Sequence, residues 1–299
     1  MREEPIHFYS DGYKLVGTLY FPDNLQEGEQ RPAVVACSGY LGLNEIYPRL
    51  FASYLTQAGY ITLGFDYRGN GKSEGKHGRI LIEEQLEDIK NSLTFIRAQP
   101  NVNANSVALI GWGMGAGECI QVTAGDDRVC AVAALNGFYN GRAFLQARHS
   151  EEALAALYAK MEHDRMNRVL HGSSDTFNDP FEVYPLDPDT EDEVNQNLAP
   201  VPDFGPQTSF KLLESLIGFN AEKVVDDITP RPIFIAHGEL NRLHPFEDAY
   251  ALYRRARNPV KLYRIQGKHN DFMRQGNPEF EKLMTTLTDW LVSHTGQPA

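Results

Sequence analysis

Cysteine is scarce in this chain. There are three, Cys37, Cys119 and Cys130, and no two stand in a C-x-x-C pair. That spacing argues against a disulfide framework or a thiolate zinc site and predicts buried thiols. Long apolar runs are missing too; none approaches the roughly 18 residues that span a bilayer. The first residues, "MREEPIHFYSDG", carry acids where a secretory leader needs a basic end and an apolar core. The expectation is a cytoplasmic protein with no membrane partner. Positive charge is the third shortage: 28 Lys and Arg face 40 Asp and Glu, a net charge of −12. With no basic stripe to meet phosphates, no nucleic-acid partner is expected, and the acidity reads as a solvated surface. A homodimer stays open.

What is present is an alternation. Two β-rich segments, "EPIHFYS" and "KLVGTLYFPD", flank the turn "DG" in hairpin position. Then come the strand "PAVVACSGY", the helix "EIYPRLFASYLTQAG" ended by Gly59, and the strand "ITLGFDYR". The helix "IEEQLEDIKNSLTFIRAQP" and the strands "SVALIG" and "VCAVAALNGF" follow. The pattern resumes with the strand "RPIFIAHGE", the helix "PFEDAYALYRRA", the strand "VKLYRIQG" and the helix "FEKLMTTLTDWLVSH". These strands are apolar almost throughout, as strands covered on both faces should be. The fold class is therefore α/β, a mainly parallel doubly wound sheet with its ligand site beyond the carboxyl ends of the strands. The expected core is 1–140 with 226–299. Residues 141–225 break the alternation as a helical insertion that reads as a lid. Within it, "RAFLQARHSEEALAALYAKMEHDRMNRVL" is one long helix or a pair, and the acids from Asp187 to Glu193 read as a solvated loop.

Between "SVALI" and a helical stretch stands "GWGMGAG", residues 111–117. Strand, glycine-studded turn and helix form the setting of a nucleophile elbow, G-x-S-x-G, but the central residue here is Gly113. A dinucleotide loop is a poor match, since the motif follows the fifth strand and lacks an acid about 20 residues on.

The sequence resembles the α/β-hydrolase superfamily, in particular its dienelactone-hydrolase-like and X-Pro dipeptidyl-peptidase-like (S15) branch. The resemblance rests on four landmarks in order: "CSGYLG", "FDYRGNGKSEG", "GWGMGAG" and "GKHNDF". It implies an α/β-hydrolase fold with an inserted helical lid. It also places the nucleophile position on Gly113, the catalytic histidine on His269, and the oxyanion donors on the backbone N–H groups of Met114 and Tyr40. Ser38-Gly39 stands where the family has His-Gly. The family acid falls on Asn241 in "HGELN", and the alternative acid position after the sixth strand offers only Asn136 and Asn140. Asp66 and Arg68 match a structural turn, and Asp88 a packing or capping acid.

The triad is thus degenerate: nucleophile absent, acid replaced by an amide, histidine kept. A glycine cannot form an acyl-enzyme. What remains is a histidine beside two backbone donors, with Asn241 as orienter. The sequence reading therefore favours non-covalent chemistry of lyase, isomerase or cyclase type on a small or medium carbonyl substrate. His269 would serve as general base or acid, without a cofactor or metal, in a specialised degradative or biosynthetic pathway. The alternatives are a hydrolase, esterase or C–C bond-cleaving, that uses water or a displaced nucleophile, for which Ser38 is the better candidate than Cys37 or Cys119, and a pseudo-hydrolase that only binds ligand. Trp112, Ser38 and Glu239 are expected at the substrate, Glu239 also as a displaced acid for His269. A metal site from His237, Glu239 and His244 has no recognised ligand spacing.

Overall fold

A computed structural model describes residues 1–205 and 207–295. The chain opens with β1 (Arg2–Ser10) and β2 (Tyr13–Phe21), an antiparallel hairpin in which Ser10 pairs with Tyr13. Asp11 and Gly12 take φ of 51° and 83°, the left-handed pair a two-residue type I′ turn demands. There follow β3 (Arg31–Cys37), α1 (Tyr47–Leu55), β4 (Ile61–Phe65), α2 (Ile82–Arg97), β5 (Val102–Trp112), α3 (Met114–Gly125) and β6 (Ala131–Leu135). The insertion contains α4 (Gly141–Arg148), α5 (Glu151–His171), β7 (Thr176–Phe177), α6 (Pro188–Glu193), β8 (Thr208–Ser209) and α7 (Lys211–Gly218). The chain then returns through β9 (Ile233–Gly238), α8 (Phe246–Arg255), β10 (Val260–Ile265) and α9 (Pro278–Thr295).

The main sheet runs β1-β2-β4-β3-β5-β6-β9-β10, parallel from β4 onward, with β2 antiparallel to β4. Alternate residues of each inner strand face opposite cores. Val35 and Cys37 pack with Ile89 and Leu93 of α2 and Met114 and Ile120 of α3. Val34 and Ala36 pack with Phe51 of α1 and Leu283 and Leu287 of α9. Both faces are covered, which is why the strands read as continuous apolar runs. This is the α/β-hydrolase architecture that the sequence predicts.

Strand order reverses direction at β3: its successor β4 lies on one side and β5 on the other. The loops leaving the carboxyl ends of β3 and β5 are therefore neighbours, with Cys37 opposite Gly111, and the crevice between them is where such sheets bind ligands.

The insertion takes one of two expected forms in one place and differs from expectation in another. The long helical pattern is a pair, α4 and α5, parted at His149 and Ser150; the Ser150 hydroxyl caps α5 by accepting from the Ala153 N–H at 3.2 Å. The acidic stretch is not a loop but α6. Asp187 caps it, accepting from the Thr190 hydroxyl at 2.6 Å, and Asp189 meets Lys268 at 2.7 Å. A proline at its start and acids in its first turn suit a helix N-terminus, so the composition that suggested a loop is also that of a short capped helix.

Asp66 and Arg68 are structural, as expected. Asp66 accepts from the Asn44 N–H at 2.8 Å, and Arg68 forms a buried two-point pair with Asp88 at 2.7 and 2.9 Å. Asp88 is thus the countercharge of Arg68 rather than a helix cap. Cys37 and Cys119 are buried and Cys130 partly so.

Candidate active site

The turn after β5 has the elbow geometry. Gly113 sits at φ 58°, ψ −120°, and α3 begins at the next residue. The flanking glycines are steric requirements: a Cβ on Gly111 would lie 2.2 Å from the Gly115 carbonyl oxygen, and one on Gly115 would lie 2.2 Å from that of Ser38. Gly113 is different. A Cβ there would meet nothing nearer than the Gly39 Cα at 3.8 Å, so space for a side chain exists and only the left-handed φ disfavours one.

Around it is a cavity of about 60 Å³, lined by Ser38, Tyr40, Trp112, Gly113, Met114 and His269 together with apolar side chains of the insertion. That is room for a few waters. Four of the insertion's contributions are Leu186, Val194, Leu198 and Phe204. Among the described residues, no Asp, Glu, Lys or Arg lines the cavity. The backbone N–H groups of Tyr40 and Met114 have no acceptor among the described residues, so both donors are available to a ligand oxygen. Leu41, inside the same loop, holds φ 58°, a left-handed conformation that leucine rarely takes and that costs about 1–2 kcal/mol.

His269 is buried, its ring 5.3 Å from that of Trp112 and 4.8 Å from that of His244. Its Nδ1 lies 3.1 Å from Asn241 Nδ2, so the structure brings together the two residues that the sequence reading pairs. The Asn241 Oδ1 accepts from the His244 backbone N–H at 3.0 Å. Burial, with the neighbouring His244 and His237, holds the His269 ring well below the usual imidazole range. Burial does the same to His237, down to about 4, and to His244, down to about 3. All three rings are neutral at physiological pH.

Neutral rings must share protons with fixed partners, and two can be read directly. His237 Nε2 donates to the His244 carbonyl at 2.8 Å. His244 Nδ1 donates to the Asn136 carbonyl at 2.7 Å, which leaves its Nε2 to accept from the Tyr184 hydroxyl at 2.6 Å. Tyr184 belongs to the insertion and stacks on Tyr40 at 4.6 Å between ring centroids. The Tyr40 hydroxyl donates to the Pro180 carbonyl at 2.8 Å and accepts from Thr208 at 2.9 Å. The Tyr40 side chain thus docks the insertion, while its backbone N–H has no acceptor among the described residues. Tyr184→Phe should cost about 1–3 kcal/mol in denaturant unfolding, because it strands a buried acceptor on His244. An unchanged unfolding midpoint would show that this hydroxyl does not hold the insertion.

The other expected residues divide. Trp112 lines the cavity and also packs against Tyr47 and Phe272. Ser38 lines it too, but its buried hydroxyl has no hydrogen-bond partner among the described residues, so no base is paired with it. Glu239 is a correction. It is exposed, bonded to Arg264 at 3.1 Å and Gln266 at 2.6 Å, and does not line the cavity. Its carboxylate is held instead beside the end of β10, by Arg264 and Gln266. Asn140 is no acid surrogate either; it caps α4 through the Ala143 N–H at 3.2 Å.

Asn136 acts from beneath. It donates to the His269 carbonyl at 2.7 Å and accepts from the Gly238 N–H at 2.7 Å, tying β6, β9 and the histidine loop together. Sequence reasoning missed this clamp and the Tyr184–His244 bond, because each joins residues more than 50 positions apart. Asn270 and Tyr47, hydrogen-bonded to each other on the cavity wall, were missed as well.

Residues 28–269 match the family model described as serine aminopeptidase, S33. An uncharacterised 31.7 kDa protein of Escherichia coli is 25% identical over 289 residues, covering 94% of this chain and 98% of that protein. The polyketide transferase GrgF of a Penicillium species is 26% identical over 300 residues, 95% of this chain and 94% of its own. The GrgF crystal structure superposes with a TM-score of 0.83 at 21% identity, covering 99% of each chain. A thiohydrolase, AneE of Aspergillus aculeatus, is 33% identical over 121 residues, 40% of this chain and 36% of that protein.

Proposed function

The chain belongs to the serine aminopeptidase S33 family of α/β-hydrolase-fold proteins, and from that premise we propose that it is an acyl-carbonyl enzyme that works without an acyl-enzyme. The substrate is a neutral, largely apolar ester or thioester. Its carbonyl oxygen lies against the Met114 and Tyr40 N–H groups beside His269, and the attacking group is water or a nucleophile carried by the substrate itself. The observation behind this reading is the elbow at Gly113: it keeps the nucleophile's backbone conformation and an open side-chain position, but presents no oxygen to acylate. A water or a substrate atom fits where a serine hydroxyl would stand.

The uncharged, apolar lining supports a neutral substrate, since a charged one would be desolvated there without a partner. The hydrolytic side of the sequence reading, rather than lyase or isomerase chemistry, has the support of the named relatives, a thiohydrolase and a polyketide transferase. Cyclisation stays within the reading as the case in which the substrate supplies its own nucleophile. Residues 141–225 act as the lid. The cavity of about 60 Å³ is too small for a substrate of drug-like size, so Tyr184 and its neighbours must lift to admit one.

The test is turnover of p-nitrophenyl butyrate and of a simple butyryl thioester, with intact mass measured after fluorophosphonate treatment. Saturable turnover without an adduct, lowered roughly 100-fold or more by His269→Ala, is the expected result. A single stoichiometric adduct would overturn it in favour of a displaced serine. Ligand binding that survives His269→Ala, with no turnover by either protein, would make the chain a binder.

A further inference from the structure

We infer that Asn241 fixes His269 in the Nε2–H tautomer, so that the ring presents a hydrogen-bond donor to the cavity and serves as a third oxyanion donor rather than as a base. The argument rests on one amide. Asn241 has an acceptor end and a donor end, and the backbone decides which is which. The His244 N–H lies 3.0 Å from Oδ1 and can only donate. The opposite amide orientation would set two N–H donors face to face at that distance and orphan a buried backbone N–H. Asn241 Nδ2 therefore points at His269 Nδ1, 3.1 Å away, and donates to it.

A ring nitrogen that accepts carries no proton. A neutral imidazole has one N–H, and with Nδ1 accepting it must be Nε2–H. The second Nδ2 hydrogen lies 3.3 Å from His237 Nε2, whose own N–H is directed at the His244 carbonyl 2.8 Å away. This is the one unfavourable contact of the orientation, and it is longer than the 3.0 Å donor–donor contact that the opposite orientation would make. Among the described residues, Nε2 of His269 has no protein partner, and the ring lines the cavity beside the two free amides.

In a serine hydrolase the carboxylate accepts from Nδ1–H and leaves the Nε2 lone pair to take the nucleophile's proton. Here both halves are reversed. The absent serine and the inverted amide form one consistent change: there is no hydroxyl to deprotonate, and no lone pair to deprotonate it. As a donor, Nε2–H gives a hydrogen bond to the developing oxyanion and keeps its proton, so the ring passes through no imidazolium that would need the missing countercharge. The C–O or C–S bond breaks as the new acyl bond forms, and the attacking group's proton leaves on the departing alkoxide or thiolate.

This assignment deepens the proposed acyl-carbonyl function, but its test needs no substrate. Long-range ¹H–¹⁵N correlation spectra of the ¹⁵N-labelled protein distinguish protonated from bare ring nitrogens, and His269→Ala identifies the signals. The expected wild-type spectrum shows His269 with Nε2 protonated and Nδ1 bare, unchanged from pH 8 to pH 5.5. Asn241→Asp should move the proton to Nδ1 and bring the ring into titration within that range, because a carboxylate stabilises the cation. A protonated Nδ1 in the wild type, or a wild-type ring that titrates across that range, overturns the assignment even if Asn241→Asp fails to fold. Absence of ester or thioester turnover would instead count against the proposed function and leave the tautomer standing.

Discussion

Serine placed at position 113 alone is expected to give a folded protein that stays nearly inert to fluorophosphonates and shows no burst with p-nitrophenyl butyrate, whereas Gly113→Ser combined with Asn241→Asp should acylate readily. Space is not the obstacle, since a Cβ at Gly113 clears its nearest neighbour by 3.8 Å. The φ of 58° costs a non-glycine residue about 1–2 kcal/mol, which a domain of this size should survive. The obstacle is the proton. With Asn241 donating to Nδ1, the His269 ring offers a new serine an N–H where a base is required. In serine proteases an Asp-to-Asn change at the acid position lowers kcat by roughly 10⁴ through the wrong tautomer. The double variant should accordingly exceed the single one by about 10³ to 10⁴ in acylation rate, read as the time course of fluorophosphonate adduct by intact mass. Equal rates would mean that Asn241 does not control the ring, and the donor role of His269 would fall with it.

That experiment depends on residues the sequence already exposed. The convergence of Gly113, His269, Met114 and Tyr40 on one cavity was legible because each lies within a short turn whose shape is set locally: a strand end, a glycine pattern and a helix start. The sheet was legible for a related reason, since continuous apolar strands alternating with amphipathic helices leave few other ways to cover both faces. The nearness of Asn241 to the His269 ring was legible, but the direction of its hydrogen bond was not. That direction is set by the His244 backbone N–H, which the sequence shows only as a residue three positions on. Glu239 was misplaced because the chain leaves β9 at Gly238 and turns before Asn241, so spacing along the strand does not say which of the two meets the ring. The α6 helix was missed because capping acids and prolines serve loops and helix starts alike.

Asn136 is the clearest case of function hidden from sequence, and its replacement should be the most damaging to the fold. Read as a vacant acid position, it turns out to act on the backbone of His269 rather than on its ring. Its φ of 47° is one that asparagine tolerates better than alanine. Asn136→Ala would leave the Gly238 N–H and the His269 carbonyl buried without partners, at about 1–3 kcal/mol each, and would strain the backbone besides. The expected loss is about 3–5 kcal/mol in denaturant unfolding, a large share of the stability of an ordinary domain. Asn136→Asp separates the two halves of the clamp. While ionised it can accept from Gly238 but not donate to His269, and it sets a buried charge against the His269 carbonyl. It should therefore destabilise at least as much as Asn136→Ala at neutral pH and recover in part on acidification, when the protonated carboxyl can donate. If both variants unfold like the parent, the clamp does not hold the loop. The His269 ring would then owe its place to the stacked aromatic and imidazole neighbours, Trp112 and His244, alone.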